Sequence, residues 1–359
     1  MTRIERLALL FVALVPTASC DKDKGEPKTD SPKTAAAETA KATTDDGDAD
    51  KSVASGDPLP PRIEGCWAAF GSWDKEKLRG CYAADVDVAT VDGIPPSAMT
   101  TPDEVVKQAG GFRNAFADFK VDLDLVLVNG DKAVALALLS GKHKGDSLGF
   151  PPTGKPMSVL YAQVTDHDDQ GRVKRQRDYV DQATILHQLG VQESEVAPPK
   201  EEPWPAPVRA TARNDEGEKK NVELFKASFA ARLKGDFAAS SDLYADDAVL
   251  RYVPVESTYR GKAEIANAAK DEASQSAERK GDVREAWGAG NWVVARTTVR
   301  GTIAKPIAGM LKTKGKKWQE NALELLEFEN GKVKRHLVLA NSLKFAVDIG
   351  LISPSEVGG

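Results

Sequence analysis

The sequence predicts an α+β protein in which one small domain occurs twice in tandem. Two observations carry this: short tracts recur at a spacing of about 160 residues, and each copy reads as helices followed by strands. Gly171-Arg172-Val173-Lys174-Arg175 returns as Gly331-Lys332-Val333-Lys334-Arg335. Ala133-Val134-Ala135 returns as Val293-Val294-Ala295, and Tyr82-Ala83-Ala84-Asp85 as Tyr244-Ala245-Asp246-Asp247. Order and spacing persist across each copy, which chance does not produce. At 359 residues the chain suits two domains of ordinary size.

Residues 1–19 read as a signal peptide. Arg3 and Arg6 precede the apolar run Leu7–Val15, which is too short to span a bilayer. Thr17, Ala18 and Ser19 lead into Cys20 in the manner of a lipobox, so Cys20 is expected to be lipidated and the chain to be held at a membrane outside the cytoplasm. Residues 20–60 are rich in Lys, Asp, Thr and Ala, carry no aromatic side chain and read as a disordered tether. Residues 61–191 form the first domain, 192–219 a proline- and charge-rich linker, and 220–353 the second domain. Trp204, within the linker, is expected to dock on a neighbouring domain.

Within the first copy, Trp67 and Phe70 mark one helix and Leu78 to Tyr82 a second, with a turn at Gly71–Asp74. Thr101-Pro102-Asp103-Glu104 is a capping box that opens a third. Val121, Leu123, Leu125 and Leu127 alternate with polar residues and predict a strand with one apolar face. Asn129-Gly130 turns it into Lys132–Ser140, and Met157–Thr165 and Arg172–Val180 complete an antiparallel sheet that curls over the helices. Val222, Phe225, Phe229 and Leu233 start the second copy in the same way.

Three stretches of copy one carry a family resemblance. They are Trp67-Ala68-Ala69-Phe70 through Tyr82-Ala83-Ala84-Asp85, Gly141-Lys142-His143-Lys144-Gly145 into Pro151-Pro152-Thr153-Gly154-Lys155, and Asp181-Gln182 with Gln188-Leu189-Gly190. In these it resembles the SnoaL-like branch of the nuclear transport factor 2-like superfamily. Copy two keeps the layout with fewer signatures. The resemblance implies two cone-shaped α+β barrels, each a curved sheet over three helices with a pocket at the open end. Members include polyketide cyclases, ketosteroid-isomerase relatives and binding modules, so the fold alone names no function.

Asp181 matches the aspartate that family cyclases use as acid and base, and a desolvated carboxylate at a pocket rim suits that work. Parity along its strand groups Asp181 with Arg175, Arg177 and Tyr179. If that face looks inward, two guanidiniums blunt the carboxylate; otherwise Asp181 pairs with Arg177 or caps the last helix. Tyr161, Gln163 and Thr165 on the adjacent strand are candidates for orienting a ligand. His143 belongs to the Gly-x-His-x-Gly stretch and is either structural or ligand-binding, whereas His167 and His187 read as solvated. In copy two, Asn341, Leu337 and Leu339 replace Asp181, Arg177 and Tyr179, so its pocket is expected to be more apolar or filled.

With 49 Lys and Arg against 54 Asp and Glu, the net charge of −5 and the lack of a basic stripe argue against nucleic acid. The spacing of Cys and His suggests no metal site and no cofactor is expected. The expected partners are a small apolar or amphipathic ligand or a protein, bound without catalysis, with proton transfer by a cyclase or isomerase or a structural assembly role as alternatives. The two copies are expected to pair within the chain or the chain to form a homodimer. Once Cys20 is lipidated, Cys66 and Cys81 remain as an even pair in an oxidising compartment, and a disulfide between them is expected.

Overall fold

A computed structural model describes residues 59–146, 149–191, 207–255, 257–307 and 310–353. The signal segment, Cys20, nearly all of the tether and Trp204 lie outside these residues.

In the first domain, α1 (Leu59–Ser72) and α2 (Lys75–Gly80) are followed by β1 (Tyr82–Thr90), the two-residue β2 (Ala98–Met99) and α3 (Pro102–Asn114). Four long strands then run as β3 (Phe116–Asn129), β4 (Lys132–His143), β5 (Pro156–His167) and β6 (Val173–Val180), before α4 (Gln182–Gln188). The capping box at α3 forms as the sequence predicts: Thr101 accepts from the Glu104 backbone, and the Glu104 carboxylate takes the Thr101 N–H.

The sequence places Tyr82 at the end of the second helix, but it opens β1, as Tyr244 opens the corresponding strand of copy two. The alternation of buried Val86 and Val88 in Asp85-Val86-Asp87-Val88 is a strand pattern. β1 lies parallel to β6, so the sheet is mixed rather than wholly antiparallel.

The linker also holds structure. β7 (Val208–Thr211) adds a parallel edge strand to β3, giving the order β2-β1-β6-β5-β4-β3-β7. Asp215 caps α5 (Glu216–Lys234), which therefore starts before residue 220.

The second domain repeats the plan with α6 (Phe237–Ser241), β8 (Tyr244–Tyr252), β9 (Ser257–Arg260) and α7 (Gly261–Ser274). Then come β10 (Ser276–Ala289), β11 (Trp292–Ile303), β12 (Lys317–Glu329), β13 (Lys332–Leu339) and α8 (Ser342–Asp348). Its sheet order is β10-β11-β12-β13-β8-β9, with β8 parallel to β13.

The long strands bury both faces. Val126, Val128, Ala135 and Val159 face the helices of their own cone. Leu125, Leu127, Leu136, Leu160 and Ala162 face the other way and pack on Trp287, Trp292, Leu323, Leu325 and Leu337 of the second sheet. The two copies thus sit sheet against sheet as a pseudo-dimer within one chain.

The predicted single apolar face of β3 is wrong for a local reason. A bulge between Leu123 and Leu125 reverses the parity, so Val121 and Leu123 face the cone while Leu125 and Leu127 face the other domain. β10 carries the equivalent bulge between Val283 and Glu285.

Cys66 and Cys81 form a disulfide, with Cα atoms 5.9 Å apart, tying α1 to the start of β1. Closing a loop of this length stabilises by about 3 kcal/mol in the chain-entropy account. The corresponding Ser228 of copy two instead bonds the Ser240 carbonyl at 2.9 Å.

Candidate active site in the first cone

The first cone encloses a cavity of about 370 Å³. Trp67, Phe70, Phe112, Met99, Leu139 and Ile185 give it an apolar wall, with Trp67 edge-on to Tyr161 at 5.9 Å between ring centres. Tyr82, Tyr161, Gln163, Gln176 and Asp178 cluster on β1, β5 and β6, and Thr90, Gln108 and Gln182 complete its polar lining. Gln163 and Asp178 are direct partners across β5 and β6, so strand pairing alone brings them together.

Asp178 is 5% exposed and accepts a hydrogen bond from Gln176 Nε2 at 2.8 Å. Burial pushes its carboxyl up to about 7, although Tyr161, Gln176 and Gln163 hydrogen bond to it and favour the ionised form. A carboxyl held near neutrality in a mostly apolar cavity exchanges a proton readily in either direction.

The parity argument from the sequence selects the wrong face of β6. Gln176 and Asp178 point into the cone, whereas Arg177 and Tyr179 point out of it. Arg177 binds Asp87, with Nη2 to Oδ2 at 2.6 Å, and Arg175 pairs with Asp166 on the surface. The Tyr179 hydroxyl accepts from Arg296 Nε at 3.1 Å across the domain interface.

Asp181 is likewise absent from the cavity wall. It caps α4, one oxygen accepting from the Thr184 N–H at 3.1 Å and hydroxyl at 2.6 Å. Its other oxygen accepts from the N–H and hydroxyl of Ser342 in the second domain, both at 2.8 Å. Burial raises Asp181 to about 6, yet all its contacts are spent on joining helices.

Of the remaining candidates, Tyr161 and Gln163 line the cavity. Thr165 lies beyond it, its hydroxyl 3.5 Å from the Ala133 carbonyl. His143 is buried outside the wall between Phe116 and Phe150, and its Nδ1 accepts the Thr153 N–H at 3.1 Å, which pins the loop after β4. His167 and His187 are buried rather than solvated, with His167 Nδ1 held 3.0 Å from the Asp131 carbonyl.

Sequence reasoning missed Asp178, Gln176 and Tyr82. The signal was present: Gln176 and Asp178 are polar residues two apart on a strand, opposite in parity to the exposed Arg175 and Arg177. Among the described residues no group of three or more His, Cys, Asp or Glu is placed to hold a metal, and no helix is long and apolar enough to cross a membrane.

The expectation that copy two has a more apolar or filled pocket is met in part, though not through the exchanges that prompted it: its cavity has less than half the volume of the first and a mostly apolar lining. Leu337 and Leu339, which replace Arg177 and Tyr179, belong to the sheet interface, and Asn341 caps α8 as Asp181 caps α4. These exchanges leave the second cavity untouched. It measures about 160 Å³ and holds Arg232, Glu320, Glu324, Tyr244 and Tyr252.

No curated relative matches the chain. Among solved structures it is similar to AclR from Streptomyces galilaeus, described as a candidate hydroxylase. Identity is 21% over 38% of this chain and 97% of that one, with a TM-score of 0.34. It is also similar to IdmH from Streptomyces antibioticus, described as a candidate polyketide cyclase, at 26% over 37% and 98% with a TM-score of 0.33. A hypothetical protein with a ketosteroid isomerase-like fold from Catenulispora acidiphila matches at 17% over 36% and 94%, with a TM-score of 0.32. The family described as SnoaL-like polyketide cyclase matches residues 66–189, and that described as SnoaL-like domain matches residues 225–336. The chain belongs to the SnoaL-like family, with the domain present twice in tandem.

Proposed function

We propose that the first cone binds a small, mostly apolar carbonyl compound and that Asp178 moves a proton at the carbon beside its carbonyl. The observation that carries this is the buried Asp178 in the cavity wall, which among the described residues holds no arginine. Tyr82 is a hydroxyl donor suited to the carbonyl oxygen as charge develops there, while Tyr161 donates to Asp178. A 150 Å³ apolar cavity takes a benzene ring; at about 370 Å³ the first cone suits a ligand of two rings or more.

The reading favoured by the sequence, binding without catalysis, rested on the arginines beside Asp181, the degenerate second copy and the lipid tether. Arg175 and Arg177 leave β6 on the opposite face from Asp178, although the charge of Arg177 still favours the ionised Asp178. The test is exchange of the α-protons of 2-tetralone in deuterium oxide, followed by proton NMR. Wild type and Asp181→Asn are expected to accelerate exchange, and Asp178→Asn to lose at least about 100-fold of that rate. Exchange by Asp178→Asn at the wild-type rate overturns the proposal.

We further propose that this site works outside the cytoplasm on a membrane-tethered chain, from the apolar run Leu7–Val15 leading to Cys20. A fatty-acid analogue is expected to label wild type and not Cys20→Ser; equal labelling refutes the tether.

A further inference from the structure

The second cone presents an arginine whose hydrogen-bonding capacity is unspent. Arg232, near the end of α5, projects into the 160 Å³ cavity. Among the described residues its guanidinium makes no hydrogen bond. Its nearest acceptor is Glu324 Oε1 at 3.7 Å, and its flat face lies over Phe229 at 5.2 Å. Glu324 is occupied elsewhere: Oε1 accepts from the Thr297 hydroxyl at 2.7 Å, and Oε2 lies 3.1 Å from His336 Nε2. A guanidinium with free N–H groups at the wall of a cavity, here half-buried, is a seat for an oxygen acceptor, best an anionic one.

The surroundings balance its charge without filling the seat. Glu272 pairs with Arg279 at 2.7 Å. Glu320 takes the Tyr252 hydroxyl, and burial lifts it to about 7. Leu250, Ile265, Val299, Ile303, Trp318 and Phe345 give the wall its apolar part, and Ser240, Thr297, Gln275 and Arg279, whose Nε and Nη1 are buried without a partner, complete it. Copy one has Phe70 where Arg232 stands, so this feature belongs to the second cone alone.

We propose that the second cone binds a small carboxylic acid, with the carboxylate against Arg232 and a short apolar body among Ile265, Val299 and Ile303. The cavity volume restricts that body to about one ring or a chain of similar bulk.

Benzoate and hexanoate, titrated into the full chain at pH 6 and followed by isoleucine-methyl NMR, test the proposal. Both probes are expected to saturate with nuclear Overhauser contacts to the Ile265 and Ile303 methyls, while benzylamine does not bind. Arg232→Met is expected to weaken benzoate at least about tenfold and Arg232→Lys to retain part of the affinity. The contacts in wild type do not depend on any variant folding. Absence of saturation at millimolar probe, contacts confined to the first cone, or preferential binding of benzylamine each overturns it.

Discussion

The two cones share a backbone plan and have exchanged their interiors. In the first, one carboxyl sits on the last long strand, Asp178, among amides and phenols. In the second, Val338 takes that position and the acids move to the neighbouring strand, where Glu324 and Glu320 replace Gln163 and Val159. His336 stands for Gln176, and Tyr82 and Tyr244 open equivalent strands. One pocket is roomy with a single poised acid; the other is small and lined by ion pairs. Duplication held the outside of the strands to their packing task and let the inside drift.

That contrast is open to breakage, first where charges are densest. Glu324 is 2% exposed, and burial opposes its charge, but Arg232, His336 and Thr297 outweigh this and hold it down to about 2. Removing it by Glu324→Ala strands Arg232 and is expected to destabilise the protein by about 3–5 kcal/mol in urea unfolding. Gln163→Ala, the same position in the first cone, is expected to cost less than half as much. Equal losses would mean the charge network contributes nothing beyond packing.

The smaller effect concerns Asp178. Its carboxyl rises from 3.8 in the unfolded chain to about 7 when folded, so the folded state holds the proton more tightly. The sign follows: below pH 4 both states are protonated and there is no penalty, and the penalty grows up to pH 7 and then levels off. Asp178→Asn abolishes the ionisation and is expected to stabilise the protein at pH 8 by about 2–4 kcal/mol, with little change at pH 4. Thermal melts of the two proteins across pH 4–8 check this, and parallel curves would place the carboxyl in contact with water.

Much of the fold is legible in the sequence because its signals are local. The Thr101–Glu104 cap, the Asn129-Gly130 turn and the recurring Gly-Arg-Val or Gly-Lys-Val tract need no distant contact to act. The site was less legible because it depends on which way a strand faces. Around the site β5 and β6 pair regularly, but their outer faces pack on the other domain while their inner faces line the cone, so hydrophobicity cannot choose between them. Asp181 drew attention for a family motif, yet its neighbour three residues earlier faces the cavity. β7 was hidden for another reason: Val208–Thr211 follows a proline-rich stretch and gains its strand pairing only from β3.

Where the terminal helices of the two domains meet, each cap serves both copies: Asp181 takes the Ser342 N–H, and Asn341 Oδ1 takes the Gln182 N–H at 3.3 Å. The exchange is not symmetric. Asn341 also donates its amide to the Asp92 carbonyl and to Gln182 Oε1, both at 2.8 Å. Were two first domains to pair with each other, an aspartate would stand where Asn341 does, offering an ionised oxygen to two acceptors. Self-association of separated copies is therefore opposed at its centre, while the joined pair meets its complement at no cost in concentration. A contact that in a homodimer must suit both sides with one residue is here divided between two, Asp181 and Asn341.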